Sequence, residues 1–194
     1  MNFLKNIYIW TLKKAEHKNA KWYLSLISFA ESSFFPIPPD ILLIPMALAS
    51  KTKALLYAFI CTLSSVLGGM FGYAIGYFFF NSIGLYIVEF YHLENSFNIF
   101  ENYYKEFGIL IVLGAGITPF PYKFITIASG VFGLNIYLFV IVSIIGRGLR
   151  FYLIAILLYF FGEKIKLMID KYFNILSIIF FILLVGSVFI IRFL

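Results

Sequence analysis

The chain has 194 residues, 62% hydrophobic and 12% charged, with a mean hydropathy of +0.97 and a formal net charge of +6. That balance excludes an ordinary soluble globular domain, in which about a quarter of the residues are charged. A single cysteine, Cys61, and two histidines, His17 and His92, exclude a disulfide framework and give no support to a thiol or imidazole metal centre; the positive charge is that of cytoplasmic loops, with nothing pointing to nucleic acid.

Residues 1–21 carry Lys5, Lys13, Lys14, Lys18 and Lys21 and lack the apolar region and small-residue cleavage site of a signal peptide, so they are expected to be retained. Phe3, Ile7 and Trp10 recur at helical spacing. An interfacial amphipathic helix and a solvated basic tail are both open for this segment. Residues 22–49 follow, with Lys51 and Lys53 beyond them. Basic residues at both ends put both ends in the cytoplasm, and 28 residues cannot supply two spans of about 20 each. A re-entrant hairpin fits, broken at its tip by Pro36, Pro38 and Pro39.

Residues 54–80 are expected to cross outward into an acidic stretch holding Glu89, Glu94, Glu101 and Glu106 against Lys105. Within it Phe97, Phe100, Tyr104 and Phe107 predict a surface helix. Residues 107–133 form a second short apolar stretch interrupted by Pro119 and Pro121, read as a second re-entrant hairpin entering from outside. Residues 134–161 cross inward to Lys164, Lys166 and Lys171, and residues 172–194 cross outward again. The predicted fold class is therefore an all-α polytopic membrane protein. Residues 22–162 are its membrane domain, and 163–194 a cytoplasmic loop with a C-terminal transmembrane helix.

Superimposing Pro36-Ile-Pro38-Pro39-Asp40 on Pro119-Phe-Pro121-Tyr-Lys123 aligns two prolines and sets Asp40 opposite Lys123. Hairpins entering from opposite sides make this an inverted repeat, a plan common to secondary transporters. Glu31 lies about 15 Å into the first hairpin at 1.5 Å per helical residue. It reads as a proton or ion-coupling group, or as a structural or protonated carboxylate. Asp40 follows two prolines and reads as a coupling group, a helix N-cap, or both. Lys123 is a substrate or counter-charge candidate, unless it snorkels outward. Arg147 and Arg150 share a helix face deep in an apolar run. They are expected to pair with Glu31 or Asp40, or to bind a phosphate. Two acids against three bases leave a residual +1, or +2 with Glu31 protonated. Ser64, Gly68, Gly72 and Gly76 recur every fourth residue, Gly69 beside them, and read as a packing surface for another backbone.

Glu31 with Pro36-x-Pro38-Pro39-Asp40, then Gly68-Gly69-x-x-Gly72-Tyr73-x-x-Gly76-Tyr77 and the later proline hairpin, resembles the DedA family of membrane proteins, also described as SNARE-associated Golgi or VTT-domain proteins. The resemblance covers most of residues 20–162. It implies a bacterial inner-membrane location with a cytoplasmic N-terminus, and proton-dependent transport or movement of lipids between leaflets. The lipids implied are an anionic phospholipid or a polyprenyl phosphate, without a cofactor; a homo-oligomer is one arrangement it allows. Glu31 and Asp40 match the acidic residues of that pattern. The usual second hairpin carries two arginines around its proline, whereas this chain has Lys123 there and Arg147 and Arg150 later, as in the YqaA-like subgroup. A non-transporting assembly or homeostasis protein, whose buried charges pair helices, is the alternative. An enzyme is not expected, because no nucleophile–base set or metal cluster stands out in the sequence.

Overall fold

A computed structural model describes residues 19–162 and 164, apart from Pro36, residues 91–93 and Pro119. Among the described residues every regular element is helical. Helix α1 spans Ala20–Ser33 and α2 spans Asp40–Ala49. A 3-10 turn, Lys51–Lys53, leads into α3, Ala54–Phe79. A π-turn, Phe80–Gly84, and the short α4, Leu85–Phe90, follow. Helix α5 is Glu94–Ile117, α6 is Tyr122–Val131 and α7 is Ile136–Gly162. Helix α3 with its preceding turn, and α7, are each long and apolar enough to cross a membrane. The N-terminal segment to residue 18 and the expected C-terminal crossing lie outside the described residues.

The breaks follow from backbone chemistry. At the end of α1 the amides of Phe34 and Phe35 both donate to the Ala30 carbonyl, and Pro38 and Pro39 then offer no amide to continue the helix. Pro121 is extended before Tyr122 opens α6. Gly133, at φ +64°, closes α6 in the left-handed region, while the Leu134 amide reaches back to the Ser129 carbonyl at 2.9 Å. Asn135 then caps α7, its Oδ1 accepting from the amides of Tyr137 and Leu138 at 3.0 and 3.2 Å.

Helix α3 is the spine. Helix α1 runs alongside its first half in the same direction: Ser25 meets Ser64, and Phe29 lies on Gly68. Helix α6 runs parallel to its second half, with Thr126 against Gly72 and Ile127 against Gly76. Helix α7 runs antiparallel to α3: Phe139 lies near Gly69, Arg147 bonds Ser65, and Phe151, Ala155 and Leu158 join a core with Ala54, Ala58 and Cys61. That core also takes Leu24 of α1 and Leu43 and Met46 of α2. A second core gathers Val112, Ala115, Tyr122 and Phe139 around Tyr73.

Helices α5 and α6 form an antiparallel pair. The Tyr104 hydroxyl reaches Ser129 Oγ at 2.8 Å and the Ile125 carbonyl at 3.1 Å, and the Phe97 and Tyr104 rings both pack, tilted, against Phe132. The helix expected over residues 97–107 is present, and the boundary expected at residue 107 is corrected: Glu94 to Ile117 is one continuous helix, because no proline near residue 107 removes a backbone donor and Gly108 stays within the helix. Its aromatic stripe is also divided: Phe100 is exposed, whereas Tyr104 is buried against α6.

Candidate functional site

Between the two apolar cores the polar residues converge near the midpoints of α3 and α7. Glu31, in the last turn of α1, accepts a bond from Arg147 Nη2 at 2.5 Å. Arg147 Nε donates to Ser65 Oγ at 2.6 Å. Ser65 and Ser32 hydroxyls lie 2.6 Å apart, and Ser32 donates to Glu31 Oε2 at 3.1 Å. The directions are fixed by elimination. Guanidinium nitrogen can only donate, and Ser32 has spent its one proton on Glu31, so the Ser65 proton goes to Ser32. Four side chains from α1, α3 and α7 thus form a closed ring. The guanidinium is also flanked by the rings of Tyr122 and Phe151, whose centroids lie 4.9 and 4.8 Å from Cζ. Tyr122 is itself fixed by a 2.6 Å bond to Ser143.

One turn along α7, Arg150 holds the two hairpin breaks. Its Nη2 donates to Asp40 Oδ2 at the start of α2, and its Nη1 donates to the Thr118 carbonyl just after α5, at 2.7 Å. Thr126 of α6 adds a third tie across the junction, donating to the Ser32 carbonyl at 2.9 Å. The α1 carbonyls near Ser32 have no further helical turn to accept from, so a hydroxyl from α6 is a natural partner. Two buried atoms in this region have no hydrogen-bond partner among the described residues, Asp40 Oδ1 and Arg147 Nη1.

The structure brings four of the five expected charges together as two ion pairs, Glu31–Arg147 and Asp40–Arg150. Two expectations are corrected. Asp40 does not cap α2: the capping position is Pro39, no side-chain cap bond forms, and the carboxylate turns to Arg150 instead. Nor does Asp40 pair with Lys123, whose Nζ lies 5.4 Å from the Phe124 ring centroid; sequence register aligns positions along a chain but does not fix which helix face meets which. Of the break-forming prolines, Pro38, Pro39 and Pro121 flank the junction, while Pro36 and Pro119 lie outside the described residues.

The glycines mark where backbones touch. A Cβ on Gly68 would lie 2.1 Å from the Phe29 carbonyl oxygen, one on Gly72 2.4 Å from Thr126 Oγ1, and one on Gly76 2.0 Å from the Ile127 carbonyl oxygen. Gly69 faces Phe139, Thr126 and Tyr122 at ordinary contact distance. Sequence reasoning missed Ser32, Ser65, Tyr122, Thr126 and Phe151. Ser65 adjoins Ser64 of the small-residue stripe, which is the one signal that pointed near it.

Fold and site together define an all-helical protein with two helices able to cross a membrane and a charged, hydrogen-bonded junction between them. The chain is 34% identical over 177 residues to an uncharacterized protein of Haemophilus influenzae, an alignment covering 91% of this chain and 92% of that protein. It is 33% identical over 164 residues to an uncharacterized protein of Histophilus somni, covering 84% and 85%. The chain belongs to the family of these proteins. No family model and no solved structure matches it.

Proposed function

We propose that this chain is a polytopic inner-membrane transporter of the DedA kind, moving an anionic phospholipid or polyprenyl phosphate between leaflets, with Glu31 and Asp40 exchanging protons. The lengths support a membrane with re-entrant elements. At 1.5 Å per residue, α3 and α7 are about 39–40 Å long, beyond a hydrocarbon core of about 30 Å, whereas α1, α2 and α6 reach only about 15–21 Å. Outward faces are apolar: Phe59, Leu63, Phe71 and Phe78 on α3 and Leu153, Ile156 and Phe160 on α7 are all exposed. Patches of that extent are rare on soluble monomers. The α1–α2 pair reaches the centre from the end of α3 bearing Lys51 and Lys53, and α5–α6 reaches it from the other end, as an inverted repeat requires.

The observation that carries the proposal is the junction itself. Two ion pairs meet where both hairpins are broken, and irregular backbone with charge is kept at membrane depth for substrate and ion pathways. The test is reconstitution: vesicles containing the protein should move a labelled anionic phospholipid between leaflets faster than protein-free vesicles. Glu31→Gln, which keeps the size and removes the charge, should return the rate to the protein-free level. Transport at the native rate in Glu31→Gln would remove the proton-coupling role. The assembly reading has its own support in the Glu31–Arg147 pair, which is sealed by ring contacts and hydroxyls in the manner of a structural bridge. On that reading no lipid moves, and Glu31→Gln lowers stability alone.

A further inference from the structure

Resting on the transport reading, the structure assigns Arg150, and not Arg147, as the cation that meets the anionic substrate, with the phosphate group displacing the Asp40 carboxylate from it. The two arginines differ in what they have left to give. Arg147 has its Nε on Ser65, its Nη2 on Glu31 and two aromatic rings beside it, and although its Nη1 has no partner among the described residues, that atom is buried and the side chain is 1% exposed, so no ligand reaches it. Presenting it to a ligand would require dismantling α1, α3, α6 and α7 contacts together. Arg150 and Asp40 retain 14% and 18% side-chain exposure. Their contact uses one carboxylate oxygen, and Asp40 Oδ1 is buried without a hydrogen-bond partner. A guanidinium fork is matched better by two oxygens of one phosphate than by one oxygen of a carboxylate. An entering phosphate therefore offers Arg150 a second bond, at Nε beside Nη2, that Asp40 does not make, while Nη1 keeps the Thr118 carbonyl.

The exchange has a mechanical consequence, because Arg150 also holds the Thr118 carbonyl. Replacing Asp40 by a headgroup frees the first hairpin break from α7 while the second stays attached.

The experiment measures binding of a short-chain phosphatidic acid to the purified full-length protein in detergent, by native mass spectrometry, with inorganic phosphate as competitor. The native chain should bind the lipid. If Asp40 occupies Arg150 about nine-tenths of the time, Asp40→Asn should bind about tenfold tighter, because the internal competitor is gone. Arg150→Gln should lose binding. Should Arg150→Gln fail to fold, Arg150→Lys, which keeps the charge and loses the fork, should bind more weakly than native. Competition by inorganic phosphate at comparable concentration identifies a free-anion site, and its failure to compete identifies a lipid headgroup site. No binding by the native chain, unchanged or weaker binding by Asp40→Asn, or native binding in both Arg150 variants overturns the exchange. Tightened binding in Asp40→Asn together with no leaflet transfer by the native chain would sink the transport reading and leave the exchange standing. Leaflet transfer with unchanged Asp40→Asn binding would sink the exchange alone.

Discussion

Arg147 is a charged side chain in the middle of an apolar protein, held by a carboxylate, a hydroxyl and two rings. Removing one partner of such a pair leaves an uncompensated charge, which typically costs about 3–5 kcal/mol, whereas removing both costs less than the sum. Arg147→Ala and Glu31→Ala should each destabilise by about that amount, and the double variant should recover a measurable part of it in denaturant unfolding of the purified protein. Additive losses would show that the two side chains do not depend on each other. Ser65→Ala should cost less, about 1–3 kcal/mol, because it strips one bond from a cation that keeps Glu31. The four acidic and arginine positions were legible in the sequence because a charge inside an apolar run needs a reason. Ser32, Ser65, Tyr122 and Phe151 were not, because hydroxyls and aromatic rings are common on apolar helices and say nothing alone. What gives them meaning is a partner as far as 116 positions away, as between Glu31 and Arg147.

Helices α1, α3 and α6 approach closely enough for backbone to meet backbone at several points, and glycine is what permits it. Gly68, Gly76 and Gly130 each face a carbonyl oxygen of another helix that a Cβ would strike, the last at 2.0 Å from the Tyr73 oxygen. Those oxygens belong to helical backbone and cannot swing aside as the end of a side chain would. Gly68→Val, Gly76→Val and Gly130→Val should therefore each sharply reduce the yield of monodisperse protein in size-exclusion chromatography. Gly114, with nothing within 4 Å of its Cβ position, is the control: Gly114→Ala should be neutral or stabilising by up to about 1 kcal/mol, as alanine costs less backbone entropy in a helix. Equal loss in Gly114→Ala and Gly76→Val would place the damage in helix propensity and remove the close-packing account. The stripe on α3 was legible as a packing surface by its spacing alone. That it serves two helices, α1 at Gly68 and α6 at Gly76, was not, since periodicity identifies a face and not its neighbours. The run through residue 107 was misread for a related reason: a change from acidic to apolar composition marks a change of environment, and a helix can cross it unbroken.

Across the whole molecule, the question is whether the two broken hairpins enter from opposite sides and meet. Their meeting predicts coupling between Asp40 and Arg150, which lie 110 positions apart. Asp40→Asn and Arg150→Gln should each impair folding or lipid transfer, with a non-additive term in the double variant. The Asp40→Asn, Lys123→Gln cycle should be additive, because Lys123 lies over Phe124 rather than on the carboxylate. The entry sides are tested separately by accessibility. Cys61 is the chain's single cysteine and is buried, so Cys61→Ala gives a background on which single cysteines can be placed. A cysteine at Lys21 and one at Lys51 flank the α1–α2 pair. With α1 and α2 of 14 and 10 residues, each shorter than the span of about 20 a crossing needs, both positions should label with a membrane-impermeant maleimide only from the cytoplasmic side. A cysteine at Lys105, whose surface ion pair with Glu101 contributes little, should label only from the other side. Labelling of Lys21 and Lys51 from opposite faces would make α1 and α2 a crossing rather than a hairpin, and the inverted repeat would fall with it.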